Sequence, residues 1–494
     1  MYMISLQKLN RKVFRYFYRS IMYDIDLTDI ERYKVSNKQY EILALTLRYW
    51  FVLLIVYIFW QSAVKTLKNI LLKNQGKRST GNIPFVLVLF SLSAFGLLAI
   101  NDPEGFNINI GLLGVLVSAI LLFQFYFLYY LFIGMDEILL LVVDTLSLLG
   151  FVILQRLTPE LALHQIEWFA IGNILMLIFM ILIPRFKDLS RLNYPLMILG
   201  VGILFIVLFF GEESGGATSL LSIGPYSIQP SEFVKIIFII VLAFYLKEKK
   251  SFKQNIPLFV FIACAILGVV LQKDLGSALL YFLLFIFIYY ISTSDWLLTS
   301  AILAAGIFAS MISYRIFSHV RVRVEAWKNP WADVGGRGYQ VAQSLMAIGS
   351  GGLLGFGLGL GEPYVIPASR TDFIFAAICE EFGVLIGGTI IGFYIIFLVR
   401  GMQKALKAQN TSDMLLACGS TISLVIQAFI IIGGVIKLIP LTGITLPFIS
   451  YGGSSMIVCF CILGIIQGVS IKNYRFSTDE KLEDNLEDED DIEE

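Results

Sequence analysis

The feature that most limits what this chain can fold into is a succession of apolar runs, each near the length of a bilayer crossing. They lie at 43–62, 84–100, 108–132, 137–155, 167–184, 195–211, 233–246, 256–272, 277–293, 296–316, 372–399, 414–433 and 447–470. About 20 apolar residues in a helix cover the hydrocarbon core, and a helix satisfies its own backbone there. Of the 494 residues, 57% are hydrophobic and 15% charged, where a soluble domain carries about 25% charged residues. The chain therefore reads as an all-α integral membrane protein, a polytopic helical bundle. The first run contains Arg48 and starts well inside the chain, so it reads as a retained anchor rather than a cleaved signal.

The zero net charge hides an asymmetry. The tail 477–494 holds eleven Asp/Glu against Lys481 alone, which leaves 36 basic and 26 acidic residues before it. That excess sits in short loops, so it reports orientation rather than a nucleic-acid partner. Segments 61–83 (Lys65, Lys68, Lys73, Lys77, Arg78), 184–194 (Arg185, Lys187, Arg191), 247–255 (Lys247, Lys249, Lys250, Lys253) and 400–413 (Arg400, Lys404, Lys407) are basic and hence cytoplasmic. Segments 211–231, 317–371 and 434–446 then fall outside, and the acidic tail inside. That tail lacks the apolar content to fold and is expected to be disordered. Thirteen crossings place residues 1–41 outside, yet that polar segment carries eight Lys/Arg against five acids. Either the first run does not span or a neighbouring span is misplaced. Cys264, Cys379, Cys418, Cys459 and Cys461 lie in apolar stretches and read as buried free thiols, and His164 and His319 are far apart, so no zinc-site spacing occurs.

Five places carry chemistry that a simple anchor does not need, because ionisable groups and irregular backbone are costly in lipid. In Gln229-Pro230-Ser231-Glu232, Pro230 suits the first turn of a helix, and Glu232 shares a face with Lys235, as a structural ion pair or a site pair. In Lys273-Asp274-Leu275-Gly276-Ser277, Asp274 is either a helix N-cap or a general base whose pKa is raised by partial burial. The stretch with Arg321, Arg323, Trp327, Pro330, Trp331, Asp333, Arg337, Tyr339, Gln343 and Ser344 is either a solvated loop with aromatic anchors or a reader of phosphate, which arginine forks recognise well. The Gly349–Gly361 run lacks a following Gly-Lys-Ser/Thr, so it is no nucleotide loop and no nucleotide cofactor is expected. Beyond it, Asp372 and Glu380 are eight apart and are expected on one helix face, about 12 Å from each other, beside Glu381. They form either a structural network or the wall of a polar cavity. Finally, Pro440-Leu441-Thr442-Gly443 and Leu446–Ser455 (with Ser450) break an apolar stretch, as only backbone lining a cavity or buried in protein does. These places fall mostly on the outer side and suggest one polar cavity opening outward.

The runs QPSEFVK, KDLGSAL, RVRVEAWKNPWADVGGRGYQVAQSLMAIGSGGLLGFGLG, TDFIFAAICEEFG and LTGITLPFISYGGSS, in that order over about 137–472, resemble the signature segments of the SEDS family, which includes FtsW, RodA and SpoVE. The resemblance implies a ten-helix core with both ends cytoplasmic at 137–472. About three additional transmembrane helices at 42–136, the polar segment 1–41 and the tail 477–494 lie outside it. It implies a peptidoglycan glycosyltransferase of the bacterial cytoplasmic membrane that polymerises lipid II at the outer face, in cell division, cell-shape elongation or sporulation. A class B penicillin-binding protein, a transpeptidase, is the implied partner in cell wall assembly. The family's catalytic aspartate falls on Asp274; Lys273 replaces the motif's proline and Ser277 its threonine. The usual Glu and His before Thr371-Asp372 are Ala368 and Arg370 here.

The implied reaction is inverting. Asp274 takes the proton of an acceptor GlcNAc 4-hydroxyl, and that oxygen displaces undecaprenyl diphosphate from the donor sugar. The leaving diphosphate needs cationic help from Arg321, Arg323, Lys235 or a divalent cation such as Mg or Mn. Glu232, Tyr339, Gln343, Ser344, Asp372, Glu380 and Ser450 are the remaining substrate-binding candidates. A flippase for lipid II, or a non-catalytic scaffold for a penicillin-binding protein, are the alternative readings.

Overall fold

The computed structural model describes residues 38–71, 80–101, 106–186, 188–214, 217–223 and 226–493. Lys73, Lys77, Arg78, Lys187 and the polar segment before 38 lie outside the described residues, as do the acidic tail's side chains from 480. Sixteen α-helices follow one another in the described residues: α1 Lys38–Leu71, α2 Ile83–Ile100, α3 Ile108–Leu131, α4 Glu137–Leu157, α5 Pro159–Leu182, α6 Asn193–Phe210, α7 Pro230–Tyr245, α8 Phe252–Leu271, α9 Leu275–Thr293, α10 Trp296–Ile316, α11 Ser318–Lys328, α12 Tyr339–Gly351, α13 Ile374–Phe382, α14 Val384–Leu406, α15 Thr411–Val435 and α16 Gly453–Glu493.

Among the described residues, twelve of these are long and apolar enough to cross a membrane: α1–α6, α8–α10 and α14–α16. The chain is a multi-pass membrane protein. Helix α7, with 16 residues, is shorter but lies packed among its neighbours, with Val234, Phe238 and Ile239 fully buried. The bundle is built around α4, which is buried along its whole length, and around α15 and α16. These helices approach closely where side chains are absent. A Cβ on Gly464 of α16 would press on the Met176 carbonyl of α5, the close backbone approach that small residues allow in lipid. By contrast, α10 buries none of its length and lies on the rim against α9 and α11.

Asp274 marks one end of the bundle. Tyr40 at the start of α1, Arg156 near the end of α4 and Gln165 on α5 lie toward it. Asp136 before α4, Arg400 on α14 and Lys472 on α16 mark the opposite end. Helix α1 thus runs along the bundle from the Asp274 end and is long and apolar enough to cross a membrane.

Four local features depart from the sequence reading. Segment 211–231 holds a small antiparallel sheet in the order β1 (Glu212–Ser214), β2 (Ala217–Ile223), β3 (Tyr226–Ile228). Glu213 pairs with Thr218 and Ser222 with Ser227, and the Thr218 amide donates to the Gln272 carbonyl at 2.9 Å, which ties the sheet to the turn that carries Asp274. Segment 317–371 holds α11 and α12 rather than a continuous loop. The run 372–399 is broken at Gly383, whose φ of 91° is left-handed. Asp372 therefore lies in the turn before α13 and does not share a helix face with Glu380. Last, α16 continues as helix to Glu493, where composition predicts disorder; its run of Glu, Leu and Lys has good helix propensity. The cysteines are free thiols, four buried and Cys264 partly so.

Candidate active site

Two antiparallel spans, α8 and α9, must reverse direction in very few residues, and that reversal creates the site. Lys273 takes a left-handed φ of 61°, which aims the next residue back over the helix start. Asp274 then caps α9: Oδ1 accepts the Ser277 amide at 3.0 Å and Oδ2 accepts the Ser277 hydroxyl at 2.6 Å. Gln229 donates to Oδ2 at 3.0 Å from the turn before α7. The capping alternative read from sequence holds, and the capping carboxylate is also buried, at 6% exposure. Burial raises its pKa above the usual carboxylate value, and the charge of Glu232 adds to this, while the bonds from Ser277 and Gln229 oppose it.

The non-helical segment after α15 forms the opposite wall. Gly276 permits the approach, because a Cβ there would overlap the Ile444 side chain. Arg323 of α11 donates to the Thr442 carbonyl at 2.8 Å. A Cβ on Gly443 would lie 3.5 Å from both Arg323 Nη2 and Asp372 Oδ2, so these two groups flank that glycine. Burial pushes Asp372 up to about 6, and the charge of Asp274 adds to the rise against the pull of Thr371 and Arg323. Ser450 fastens the turn that carries Asp372: its hydroxyl donates to the Thr371 carbonyl at 2.6 Å and accepts the Leu446 amide at 2.9 Å.

Other sequence candidates take different places. Lys235 is 1% exposed and donates to Glu232 at 2.6 Å and to Gln427 at 2.8 Å, so it holds the floor rather than reaching a ligand. Arg321 is exposed and donates to the Arg315 carbonyl at 3.0 Å. Because α11 is a helix, residues two apart face away from each other, and Arg321 is parted from Arg323. Ser344 is buried and bonds the Val435 carbonyl at 3.1 Å, which with buried Gln343 seats α12 on α15. The Tyr339 hydroxyl reaches the Val365 carbonyl at 3.4 Å. Glu380 accepts the Glu362 amide at 2.8 Å, and beside it Glu381 meets Arg156 at 3.4 Å.

Two residues given no binding role from sequence, Gln229 and His319, lie at the site. Gln229 holds Asp274. His319 lies one turn before Arg323; burial lowers its pKa, and the charges of Arg323 and Lys273 lower it further. Its Nε2 is buried and has no hydrogen-bond partner among the described residues. The signal for His319 was its spacing of four from Arg323, which counts only once the stretch is recognised as helix.

A helical membrane bundle with a capped, buried carboxylate opposite an arginine, over a floor of satisfied polar pairs, is a multi-pass membrane protein with a built polar site at one end. The chain belongs to the FtsW/RodA/SpoVE family, described as cell cycle proteins, whose profile matches residues 121–475. It is 34% identical over 366 residues to the peptidoglycan glycosyltransferase RodA of Mycobacterium tuberculosis, covering 68% of this chain and 78% of that protein. It is 36% identical over 289 residues to stage V sporulation protein E of Bacillus subtilis, covering 56% and 78%. Among solved structures it superposes on a chain of a peptidoglycan synthase complex that coordinates polymerisation and crosslinking, with a TM-score of 0.59, 27% identity and coverage of 69% and 98%. The Thermus thermophilus rod shape determining protein RodA superposes with a TM-score of 0.51, 27% identity and the same coverage.

Proposed function

We propose that this protein is a peptidoglycan glycosyltransferase that polymerises lipid II. The observation that carries the reading is Asp274, a buried carboxylate fixed by three hydrogen bonds, on a turn whose Gly276 packs against Thr442 and Ile444, beside the Gly443 that Arg323 and Asp372 flank. Family membership and the names of its relatives support the same activity.

In the proposed step, the Asp274 carboxylate removes the proton of the acceptor 4-hydroxyl. The freed oxygen pair forms a bond to the donor's anomeric carbon while the carbon–diphosphate bond breaks. The electron pair leaves with undecaprenyl diphosphate, and Asp274 ends protonated. An α-linked donor yields a β-1,4 bond by inversion. Arg323 is the cation proposed to meet the departing diphosphate, since it flanks Gly443 beside Asp372, whereas Arg321 is exposed on another face and Lys235 is held by Glu232 and Gln427. Capping and the Gln229 bond fix the carboxylate's aim, and burial keeps it basic enough to act.

A metal fits this site poorly. Asp274 Oδ2 already accepts from Ser277 and Gln229 and Oδ1 from the Ser277 amide, which leaves one Oδ1 lone pair for the acceptor's proton, and among the described residues no group of three or more His, Cys, Asp or Glu converges on a point. No step is routed through one. The proposed orientation places the Asp274 end outside the cytoplasmic membrane. The Lys472 and Arg400 end carries Lys404, Lys407 and Lys247 and suits the cytoplasm. A transpeptidase of the penicillin-binding class is the proposed partner, in keeping with the match to a chain of a peptidoglycan synthase complex that coordinates polymerisation and crosslinking.

The test is polymerisation of lipid II by the purified chain in detergent, with and without a chelator. Glycan strands in both arms support the assignment and a metal-independent step. No strands, even with a transpeptidase partner present, would sink it.

A further inference from the structure

The family profile begins at 121, so α1, α2 and most of α3 lie outside it. Their contacts with the rest of the bundle are polar and specific as well as apolar. The Tyr40 hydroxyl of α1 donates to the Leu358 carbonyl at 2.8 Å. Two turns on, Arg48 donates from Nη1 to the Gly355 carbonyl at 3.2 Å, while its Nη2 donates to the Tyr49 hydroxyl at 2.9 Å. Both acceptors belong to the Gly-rich loop between α12 and α13. The fit needs missing side chains. Gly359, at a φ of 83°, lies where a Cβ would overlap the Tyr40 hydroxyl, and a Cβ on Gly357 would come within 3.1 Å of the Ala44 carbonyl. Phe51 of α1 meets Phe382, the last residue of α13, edge to face at 5.9 Å.

The far side of the same loop grips α13. The Phe356 amide donates to the Glu380 carbonyl at 2.9 Å and the Gly357 amide to the Glu381 carbonyl at 2.9 Å. Glu380 accepts the Glu362 amide, and Arg156 of α4 bonds the Gly359 carbonyl at 3.3 Å. The loop is thus clamped between α1 and α13, and the turn before α13 carries Asp372. A nine-residue helix held at its C-terminal end acts as a short rigid lever for the group at its start.

From this chain of contacts we infer that Tyr40 and Arg48 are positioning residues for glycosyl transfer. They brace the loop at 355–359 and, through α13, hold Asp372 against Arg323 and Gly443. The inference rests on the proposed polymerase reading of that site. It makes the added N-terminal helices part of the enzyme's working structure rather than a passive anchor.

The experiment uses the full chain in detergent and compares wild type with Tyr40→Phe, Arg48→Ala and Arg48→Lys. Two readouts are taken: amide hydrogen exchange and lipid II polymerisation. Loss of a charge-assisted bond is expected to speed exchange at Phe356 and Gly357 by about tenfold, with α15 unchanged. Polymerisation is expected to fall severalfold in Arg48→Ala and to recover in Arg48→Lys, which still supplies a cationic donor. A general folding defect would speed exchange in α15 too, and lysine would not rescue it selectively. If Arg48→Ala does not fold, Tyr40→Phe keeps the ring and removes only the donor. Unchanged loop exchange in folded variants overturns the inference, and so does faster loop exchange with wild-type polymerisation. In both cases a wild type that makes glycan leaves the polymerase reading standing. A wild type that makes none overturns that reading and the positioning role with it.

Discussion

The two ends of the bundle differ in how completely their acidic groups are paired with cations. Opposite the site, charges close on one another. Asp136 meets Arg400 at 2.6 Å and Lys404 at 3.1 Å, its backbone amide and carbonyl are both held by Gln467, and Asp413 meets Lys472 at 2.7 Å. At the Asp274 end, Glu232 meets Lys235 at 2.6 Å and Glu381 meets Arg156 at 3.4 Å, whereas Asp274 and Glu380 accept hydrogen bonds from neutral donors and, among the described residues, no ion pair within 4.0 Å involves Asp274, Asp372 or Glu380. The backbone differs as well. Lys273, Ala368 and Lys437, all at the Asp274 end, have φ values of 61°, 54° and 63°, a strained region for residues with a Cβ, against Ser294 at 55° after α9 at the other end. One end is assembled to hold its charges among themselves. The other pairs some and keeps Asp274, Asp372 and Arg323 out of ion pairs with one another, which is the condition for meeting a charged ligand.

That contrast can be broken by substitution. The largest effect belongs to Asp274→Asn. Asparagine still caps α9 but cannot take a proton, so folded protein is expected to lose about 10²–10⁴-fold in polymerisation rate. Asp136→Ala, at the other end, strands Arg400 inside the bundle. Removing one partner of a buried pair costs about 3–5 kcal/mol. Denaturation in detergent should show that loss, while turnover per folded molecule stays near wild type. A selective loss of turnover from Asp136→Ala would erase the distinction between the ends. Arg323→Ala should lower polymerisation by about tenfold, the worth of one charge-assisted contact, with little change in melting. The smallest effect is expected from Arg321→Ala, within about twofold of wild type by the same assay, as for an exposed group outside the cleft.

Much of this was legible from residues alone. Apolar runs near twenty residues predict most of the spans, the shorter run at 233–246 predicts the buried helix α7, which is not among the twelve span candidates, and the break at Pro440–Gly443 predicts irregular backbone. Asp274 was readable because a carboxylate between two spans has few roles open to it. What could not be read depends on local geometry. Arg321 and Arg323 look equivalent until α11 forms and sends them to opposite faces. Asp372 and Glu380 look like one helix face until Gly383 and the turn before Ile374 cut the run. Lys235 looks like a cation for a ligand until Gln427, 192 residues away, is seen to bind it. The docking of α1 on the Gly-rich loop also has no local signal, since it joins residues more than 300 apart.

The most direct measurement is the pH dependence of lipid II polymerisation for wild type beside Asp274→Asn. The base must be unprotonated, so the wild-type rate should fall as pH is lowered. Burial raises the Asp274 pKa, so the fall should set in above the usual carboxylate range near about 4. The residual rate of Asp274→Asn should lack that limb. A substituted protein that keeps both the turnover and the acid limb of wild type would contradict Asp274 as the base at this site.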